Sequence, residues 1–486
     1  MHEHTNHSTR APQPPELAGV RVHLRTYGCQ MNVLDSQIIA GLLAASGFIL
    51  VNDEHHADAL LFNTCSVRDL SERKVLGKLG QLRHARARRP ELVLGVCGCM
   101  AELSGARLLE KLPHLDFVCG TNARGRIPAL LRAALQRRLA AAPLTRHNLL
   151  HLQRLRAALP TLEAPACDHD LRCATGTATP ETLDERIARR PHPWQAFVEI
   201  MRGCSNFCSF CVVPHARGPE VSRPMHDILL ELSELAARGC IEVTLLGQNV
   251  NSYGKDRDGR AAFPELLRRA AAIPGLRWIR FLTSNPHDVS DELIDTIASS
   301  PKICHHIHFP LQSGSDRILR AMNRKYTCAE YLDKIARLRA AAPDMAFSTD
   351  VIVGFPSETD DDFAATRAAM ASVHFASAFI FKFSPRPGTA AAALPDDVPP
   401  SIKEARHQEL LALQSSHTLL AHQQHIGTVH DVLIEGPSKR NAAMLQGRTA
   451  RFFNVVLPGP GAWAGSIRPV RITHVTPLTL YGQPLS

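Results

Sequence analysis

Short apolar runs alternate with amphipathic stretches over residues 20–120 of the chain. Three of the apolar runs predict β-strands: Val22–Tyr27, Ala59–Asn63 and Leu92–Cys97. Three amphipathic stretches predict helices: Ser36–Ala45, Ser66–Arg88 and Ala101–Leu112. Because a strand–helix–strand alternation pairs its strands in parallel, we expect an α/β fold with a doubly wound parallel-sheet domain over residues 19–139. Ligands on such a sheet bind beyond the C-terminal ends of the strands.

The same alternation resumes over residues 193–426, where six further apolar runs predict strands. They are Ala196–Met201, Glu242–Leu246, Trp278–Phe281, Ile307–Pro310, Ala346–Val353 and Ala378–Phe383. Amphipathic helices are expected between them, for example at Asp227–Arg238 and Asp291–Ser299, and a long helix follows at Ser401–Gln424. Six strand–helix units predict a partial (β/α)6 barrel.

Three segments depart from this alternation. Residues 1–18 are polar and rich in His and Pro, which predicts a disordered tail. Residues 140–192 are polar and interrupted by Pro, and we interpret them as a surface linker or insertion with one helix at His147–Ala158. The segment contains Cys167 and Cys173, which we interpret as two unrelated thiols, with a metal clip as the alternative. Residues 427–486 contain three short predicted strands between Gly and Pro turns, Val429–Glu435, Phe452–Val456 and Ser466–His474, which predicts a small β-barrel.

The net charge of the chain, which has 486 residues, is +9 and indicates which classes of partner are favoured. A basic surplus favours an anionic partner such as nucleic acid, although solubility alone also accounts for it. No apolar run is long enough to cross a bilayer, and the N-terminus lacks the apolar core of a secretory signal. We therefore expect a cytoplasmic protein without a membrane partner. Its thirteen cysteines are then metal ligands, reactive thiols or core residues rather than disulfides.

The strongest chemical signal is the spacing Cys204-x3-Cys208-x2-Cys211, directly after the first predicted barrel strand. Three thiolates within eight residues can hold one [4Fe–4S] cluster and leave one iron without a protein ligand. An open iron can bind a substrate, as an open zinc position does. A zinc site is the alternative, with His215 as its fourth ligand.

A second set of thiols follows the three strands predicted in the first domain. Cys29, Cys65 and Cys99 come just after those strands, whose C-terminal ends meet at one edge of a parallel sheet. Cys97 is an alternative to Cys99 as the third ligand of this set. Cys97 continues the buried run of its strand, whereas Cys99 lies beyond Gly98 and ahead of a helix, where a thiolate is favoured. We therefore expect Cys99 to be the ligand. Considered alone, such scattered thiols are structural about half the time.

Polar residues also lie at or just after the C-terminal ends of several predicted barrel strands. Five of them offer hydrogen bonds to amino, carboxylate or ribose groups: Gln248, Asn249, Gln312, Ser313 and Asp350. They lie where barrel enzymes place their sites. Each one alone is equally well explained as part of a capped loop, but their common placement predicts a ligand site.

These motifs resemble those of the radical S-adenosylmethionine (SAM) superfamily, and specifically its methylthiotransferase family. The resemblance is carried by the runs Arg202–Pro214, Arg217–Glu220, Leu246–Tyr253, Pro310–Ser315, Asp350–Pro356, Tyr27–Asn32, Asn63–Arg68 and Gly98–Glu102. It implies that SAM binds the open iron, with Phe210 as the aromatic residue beside the third cysteine. It also implies a second [4Fe–4S] cluster on Cys29, Cys65 and Cys99.

The C-terminal segment resembles the TRAM domain of the same family, a small RNA-binding barrel. This resemblance implies RNA contacts from the basic residues of the segment, and we assign them to Lys439, Arg440, Arg448 and Arg451. Phe452 and Phe453 are candidates for stacking on bases, with the reservation that one of them belongs to the core.

The resemblance implies an enzyme that transfers a methylthio group to C2 of N6-isopentenyladenosine, beside the anticodon of tRNA. One SAM methylates sulfur at the N-terminal cluster, and another yields the radical that abstracts hydrogen. Sister enzymes act on threonylcarbamoyl-adenosine of tRNA or on an aspartate of a ribosomal protein, and both remain alternatives. A non-catalytic iron–sulfur RNA-binding protein is an alternative of another class. Expected partners are tRNA, a small electron donor of the flavodoxin or ferredoxin type, and the iron–sulfur assembly machinery.

Overall fold

The computed structural model describes residues 19–66, 69–145, 148–163, 172–176 and 185–485. The predicted tail over 1–18 and Cys167 lie outside the described residues. The chain forms two compact units. The first comprises the described residues up to Tyr27 and those within Ile38–Thr64 and Glu72–Leu183. The second comprises those within Gly28–Gln37, Cys65–Ser71 and Asp184–Ser486.

A six-stranded sheet forms the centre of the first unit. Its strands β1 to β6 are Arg21–Tyr27, Ile49–Leu50, Ala59–Thr64, Val93–Gly98, Phe117–Cys119 and Cys173–Ala174. Their spatial order is β2-β1-β3-β4-β5-β6, and every pairing is parallel. The residues of β3 and β4 are buried throughout, as expected of central parallel strands covered on both faces. The predicted parallel sheet is confirmed.

Helices cover both faces of this sheet. The helices α1 to α5 are Gln30–Ala45, Asp69–Arg88, Cys99–Lys111, Ile127–Ala141 and Leu149–Ala158. One apolar cluster joins one face of the sheet to α1, α4 and α5, and a second joins the other face to α2 and α3. Helix α1 begins six residues before the predicted start at Ser36, because Met31 and Leu34 already belong to its buried side.

The segment predicted as a surface linker contributes to this unit, which corrects the prediction for its described residues. Leu152 and Leu155 of α5 are fully buried in the core. Residues Cys173–Ala174 pair with β5 and form the outermost strand. The physical reason is twofold: the apolar positions of the helix match the core, and the edge of β5 carries backbone groups that a further strand can pair.

The second unit contains the predicted partial barrel. Its strands β7 to β14 are Gln195–Glu199, Met201–Arg202, Val221–Ser222, Glu242–Leu246, Trp278–Phe281, His306–His308, Ala346–Val353 and Ser377–Lys382. Two parallel sheets, β11-β10-β7 and β12-β13-β14, are joined by a parallel bridge between Ile279 and Ile303. The six main strands therefore follow one another in chain order, as the sequence predicts. The short antiparallel pair β8–β9 flanks the cysteine loop.

Nine helices accompany the strands in the described part of the second unit. They are α6 to α14, at Val213–Arg217, Met225–Ala237, Lys255–Asp258, Phe263–Ala271, Asp291–Ser299, Asp316–Ala321, Cys328–Ala341, Asp360–Val373 and Pro400–Gln423. Local sequence fixes several of their starts. At α12, for example, the Thr327 hydroxyl accepts a hydrogen bond from the Glu330 amide while the Glu330 carboxylate accepts one from the Thr327 amide. None of the helices described has both the length and the apolar character that a bilayer crossing needs.

A closed five-stranded barrel ends the chain. Its strands β15 to β19 are Val429–Pro437, Leu445–Thr449, Asn454–Leu457, Ile467–Val475 and Leu480–Pro484. Their order is β15-β16-β17-β19-β18, and closure leaves no strand edge exposed. The predicted small β-barrel is confirmed, with β16 and β19 added to the three strands that the sequence predicts.

Candidate active site

A loop between β8 and β9 carries the three cysteines of the Cys204-x3-Cys208-x2-Cys211 motif. Gly203 turns the chain into this loop with a φ of 76°. A Cβ atom there would strike the carbonyl oxygen of Pro219 and lie 2.6 Å from that of Gly218. Glycine is therefore required at this position. The amide of Cys204 then donates to the Gly218 carbonyl at 3.1 Å and fixes the start of the loop.

The three thiols of this loop influence one another. Burial raises the pKa of Cys211 to about 12, and the neighbouring Cys208 and Cys204 thiolates contribute. Burial also raises the pKa of Cys204. A cationic centre bound to the sulfurs would reverse both effects, because it stabilises thiolates. Three thiols in one loop are a donor set that fits an iron–sulfur cluster, in which each thiolate binds a different iron.

The zinc alternative has less support from the geometry. His215, its candidate fourth ligand, is exposed on α6. Within the described residues, no three His, Cys, Asp or Glu side chains converge closely enough to hold a single metal ion.

Two of the predicted SAM-binding residues have side-chain oxygens that can accept a hydrogen bond from a ligand. The side-chain oxygens of Gln248 and Gln312 are buried and have no hydrogen-bond partner. Gln312 adopts a φ of 64°, and its amide donates to the carbonyl of Asp350 at 2.8 Å. Asp350 lies on β13 with its carboxylate 3.3 Å from His308 Nε2. Buried acceptors without partners suit a ligand that brings N–H or O–H donors, as the amino and ribose groups of SAM do.

The other three predicted SAM-binding residues make contacts within the protein. Asn249 donates to Asp288 Oδ2 at 2.6 Å. Ser313 Oγ lies 3.2 Å from Thr366 Oγ1. Phe210 packs against a small apolar cluster. These contacts shape the loops around the site, and direct contact of the three with a cofactor stays a prediction.

Sequence reasoning missed a turn that contacts the cysteine loop. The Ser209 amide donates to the Met322 carbonyl at 3.0 Å, and Arg324 Nη1 donates to the Cys208 sulfur at 3.2 Å. Although burial opposes its charge, Tyr326 and the Cys208 thiolate raise the pKa of Arg324. Arg324 and Cys208 are 116 residues apart in the sequence. No local pattern connects them, so no signal in the sequence could have revealed the contact.

The thiols of the first domain follow neighbouring strand ends. In the sheet, Tyr27 pairs with Thr64, and Thr64 pairs with Gly98. Cys65 comes one residue after its strand end, Cys99 one residue, and Cys29 two. Each of the three cysteines thus follows the C-terminal end of a strand, and these three strands are neighbours in the sheet.

Cys97 and Cys99 occupy different environments. Cys97 lies inside β4 and belongs to an apolar core cluster. Gly98 turns the chain with a φ of 92° and a ψ of −161°, and Cys99 begins α3. The expected core position of Cys97 is confirmed. The role of Cys99 as a ligand stays a prediction.

Cys29 lies in an environment that favours a thiolate. A hydrogen bond with Cys65 lowers the pKa of Cys29 to about 5, and the charge of Arg217 and the Asn32 amide act in the same direction against burial. Arg217 forms a buried ion pair with Asp35, with 2.7 Å between Nη2 and Oδ2. A thiolate is the form that binds iron, so Cys29 is suited to be a ligand.

The four predicted RNA-binding residues divide into two pairs. Lys439 and Arg440 are exposed in the connection between β15 and β16. Arg448 Nε lies 3.1 Å from Glu435 Oε1. Arg451 Nη2 lies 3.1 Å from His430 Nδ1.

The two candidate base-stacking aromatics are both engaged. Phe452 stacks on His306 of the partial barrel with 4.9 Å between ring centroids, and Arg280 faces the same ring. Phe453 packs against the core of the terminal barrel and contacts His422. Both rings therefore have packing partners within the protein, and stacking on bases stays a prediction.

Comparison with known sequences agrees with this organisation. Residues 21–120 match uncharacterized protein family UPF0004, residues 198–370 match the Radical SAM superfamily, and residues 423–485 match the TRAM domain. The fold and the cysteine loop therefore define a radical SAM protein with a C-terminal TRAM domain.

Relatives that match over nearly their whole length show to which family within this superfamily the chain belongs. A tRNA-2-methylthio-N(6)-dimethylallyladenosine synthase of Syntrophotalea carbinolica is 43% identical over 454 residues, covering 93% of this chain and 96% of that protein. One of Akkermansia muciniphila is 40% identical and covers 96% of this chain and 98% of that protein. The chain belongs to the family of tRNA-2-methylthio-N(6)-dimethylallyladenosine synthases.

Proposed function

We propose that this protein transfers a methylthio group to C2 of N6-isopentenyladenosine in tRNA, using SAM and two [4Fe–4S] clusters. The observation that carries the proposal is the loop of three thiols at the C-terminal end of the partial barrel, in a chain whose full-length relatives are methylthio-dimethylallyladenosine synthases. A cytoplasmic location, a small electron-donor protein and the iron–sulfur assembly machinery belong to the same proposal.

The cluster ligands follow from the placement of the thiols. Cys204, Cys208 and Cys211 would hold the cluster that binds SAM, because the three thiols lie together in the loop between β8 and β9. The second cluster would be held by Cys29, Cys65 and Cys99, which leave neighbouring strand ends.

The protein side chains would then bind and orient SAM. The buried oxygens of Gln248 and Gln312 would accept hydrogen bonds from its amino or ribose groups, and the Asp350 carboxylate offers a further acceptor. When bound, the cluster and SAM supply hydrogen-atom abstraction by one-electron chemistry. Adenine C2–H requires this, because it is far too weak an acid for any side-chain base.

The proposed domains are an auxiliary-cluster domain, which extends beyond the predicted limits of 19–139 to include α5 and β6, a radical SAM domain at 193–426 and a TRAM domain at 427–486. RNA contacts are assigned first to Lys439 and Arg440, whose exposed charges suit phosphates. Arg448 and Arg451 would shape this surface through their contacts with Glu435 and His430.

The deciding experiment is mass spectrometry of tRNA nucleosides from cells with and without the gene. We expect 2-methylthio-isopentenyladenosine to disappear in the deletion strain and to return with the wild-type gene but not with Cys208→Ala. Loss of a methylthio group from threonylcarbamoyl-adenosine instead would favour the sister activity. Unchanged tRNA, together with no SAM cleavage by the reduced, cluster-loaded protein, would favour a non-catalytic RNA-binding protein.

A further inference from the structure

Five hydrogen bonds join the end of α11 and the turn after it to the cysteine loop, and the four shortest are the following. The Ser209 amide and hydroxyl donate to the carbonyls of Met322 and Ala321 at 3.0 and 2.8 Å. Asn323 Nδ2 donates to the carbonyl of Phe207 at 2.9 Å. The fourth bond is the only one of these that reaches a thiol: Arg324 Nη1 lies 3.2 Å from the sulfur of Cys208. The loop between the first and third cysteines is thereby attached to a second barrel element.

The other contacts of Arg324 hold its guanidinium in place without neutralising it. Its Nε donates to the Tyr326 hydroxyl at 3.1 Å, and its Nη2 lies 3.4 Å from Asn285 Oδ1. The Tyr326 ring faces the guanidinium at 5.0 Å. Tyr326 is itself anchored, because its hydroxyl donates to the Pro310 carbonyl at 2.9 Å. Among the described residues, no carboxylate forms an ion pair with Arg324. The charge of the half-buried guanidinium therefore has no carboxylate partner in the part of the chain that the structure describes.

We infer that Arg324 is a positioning residue whose counter-charge is the iron–sulfur cluster on Cys204, Cys208 and Cys211, and that its hydrogen bond to Cys208 raises the reduction potential of that cluster. The inference rests on the proposed function, because it requires that this loop hold a cluster. The half-buried guanidinium of Arg324 contacts the Cys208 thiol and no carboxylate. A negatively charged cluster bound to that thiol would supply the missing counter-charge.

The expected effect on the potential has a direct physical cause. Reduction places one more negative charge on the cluster and its thiolates. A nearby cation and an N–H···S hydrogen bond both stabilise that added charge, so the cluster accepts an electron at a higher potential. Charge-assisted hydrogen bonds are about twice as strong as neutral ones. Removing Arg324 should therefore make the cluster harder to reduce while leaving its three ligands in place.

The test uses the full-length chain with Cys29, Cys65 and Cys99 replaced by Ala, so that a single cluster reports. In this background we compare Arg324→Met, which removes charge and donor, with Arg324→Lys, which keeps the charge. The matched control is Arg320→Met, an exposed arginine one turn earlier on α11. The readouts are iron and sulfide content, the electron paramagnetic resonance signal of the reduced cluster, and its intensity against solution potential.

We expect Arg324→Met to load iron and to lower the ratio of reduced to oxidised cluster at a fixed potential about tenfold, which is about 59 mV for one electron. Arg324→Lys should lower the ratio less, and Arg320→Met should leave it unchanged. A ratio equal to the parent's in a loaded Arg324→Met protein would overturn the inference. So would folded Arg324 variants without iron, because Arg324 would then build the loop rather than tune its charge. Absence of iron in the parent itself would instead refute the proposed function.

Discussion

The turn at Gly98 offers the sharpest test of the auxiliary site. Gly98 ends β4 with a φ of 92° and a ψ of −161°, directly before Cys99. Side chains other than glycine are strongly disfavoured in this region of backbone space. A Cβ atom at position 98 would also strike the Asn63 side chain and lie 2.6 Å from the Thr64 carbonyl oxygen. Gly98→Ala therefore meets both a conformational and a steric penalty.

The magnitude follows from these two penalties. Backbone strain in this region costs about 1–3 kcal/mol, and forcing extra volume into a packed site costs about 1–3 kcal/mol more. Thr64 cannot easily move away, because it pairs with Tyr27 and Gly98 on either side within the sheet. The turn itself must shift instead and carry Cys99 with it. Metal sites tolerate little displacement of a ligand, so we expect Gly98→Ala to lose most of the auxiliary iron.

The assay measures iron per chain in a Cys204, Cys208 and Cys211 triple-Ala background, where only the auxiliary cluster can load. The control is Gly80→Ala on α2, where an added Cβ meets nothing within 4 Å. That substitution should keep its iron and stabilise the fold by up to about 1 kcal/mol, because alanine is the better helix former.

Cys97→Ala and Cys99→Ala complete the comparison in the same background. Cys97→Ala should keep its iron at a cost of about 1 kcal/mol, because it shortens a side chain in the apolar core. Cys99→Ala should lose the iron. Full iron in Gly98→Ala together with loss of iron in Cys97→Ala would refute the assignment of Cys99.

Three further outcomes are expected. Cys208→Ala should remove about half of the iron of the intact chain and all SAM cleavage; a folded variant that loses all its iron would contradict two separate sites. The double substitution Lys439→Gln and Arg440→Gln should weaken tRNA binding, and the dependence of log affinity on log salt concentration should fall by the equivalent of up to about two phosphate contacts. An unchanged salt dependence in a binding assay would show that these two residues do not contact the RNA. Burial lowers the pKa of His306 to about 3, while an unfolded histidine titrates near 6.5. The unfolded state therefore takes up the proton first, and stability should fall as the pH drops below about 6.5; denaturant titrations at pH 7.5 and 5.5 should show this fall, and His306→Phe should reduce it.

Most strands could be predicted because their hydrophobic pattern is local. Three barrel strands, Glu242–Leu246, Trp278–Phe281 and Ala346–Val353, have the predicted bounds. Strands β16 and β19 were missed because each combines glycine and polar residues with few apolar ones. Their strand conformation depends on closure of the terminal barrel, in which β19 joins β17 to β18. Pairing between distant segments has no counterpart in local periodicity.

The same limit applies to charge. Counting basic residues identifies the terminal segment as a candidate RNA surface, but it cannot distinguish exposed charges from charges that are paired with other residues of the protein. Arg448 contacts Glu435, whereas Lys439 and Arg440 are exposed. Spacing likewise revealed the Cys204–Cys211 motif, because all its members lie within one loop. The contact of Arg324 with that loop arises only when the barrel is folded.

The position of the terminal barrel constrains the substrate. Most of its contacts with the partial barrel involve residues that precede or begin strands: Trp194 before β7, Ile241 before β10, Trp278 at the start of β11 and Cys304 before β12. Arg280, within β11, also donates to the carbonyls of Thr449 and Ala450. The loop of Cys204 instead follows the C-terminal end of β7. A strand of five residues such as β10 spans about 16 Å, so a ligand that touches both regions must be longer than that. A free nucleoside is too short, whereas an RNA stem-loop can extend along the barrel with its modified base at the cysteine loop. If the terminal barrel binds RNA as proposed, its contribution is therefore to hold a part of the tRNA distant from the reacting base, and its charges should affect tRNA affinity rather than the chemistry at C2.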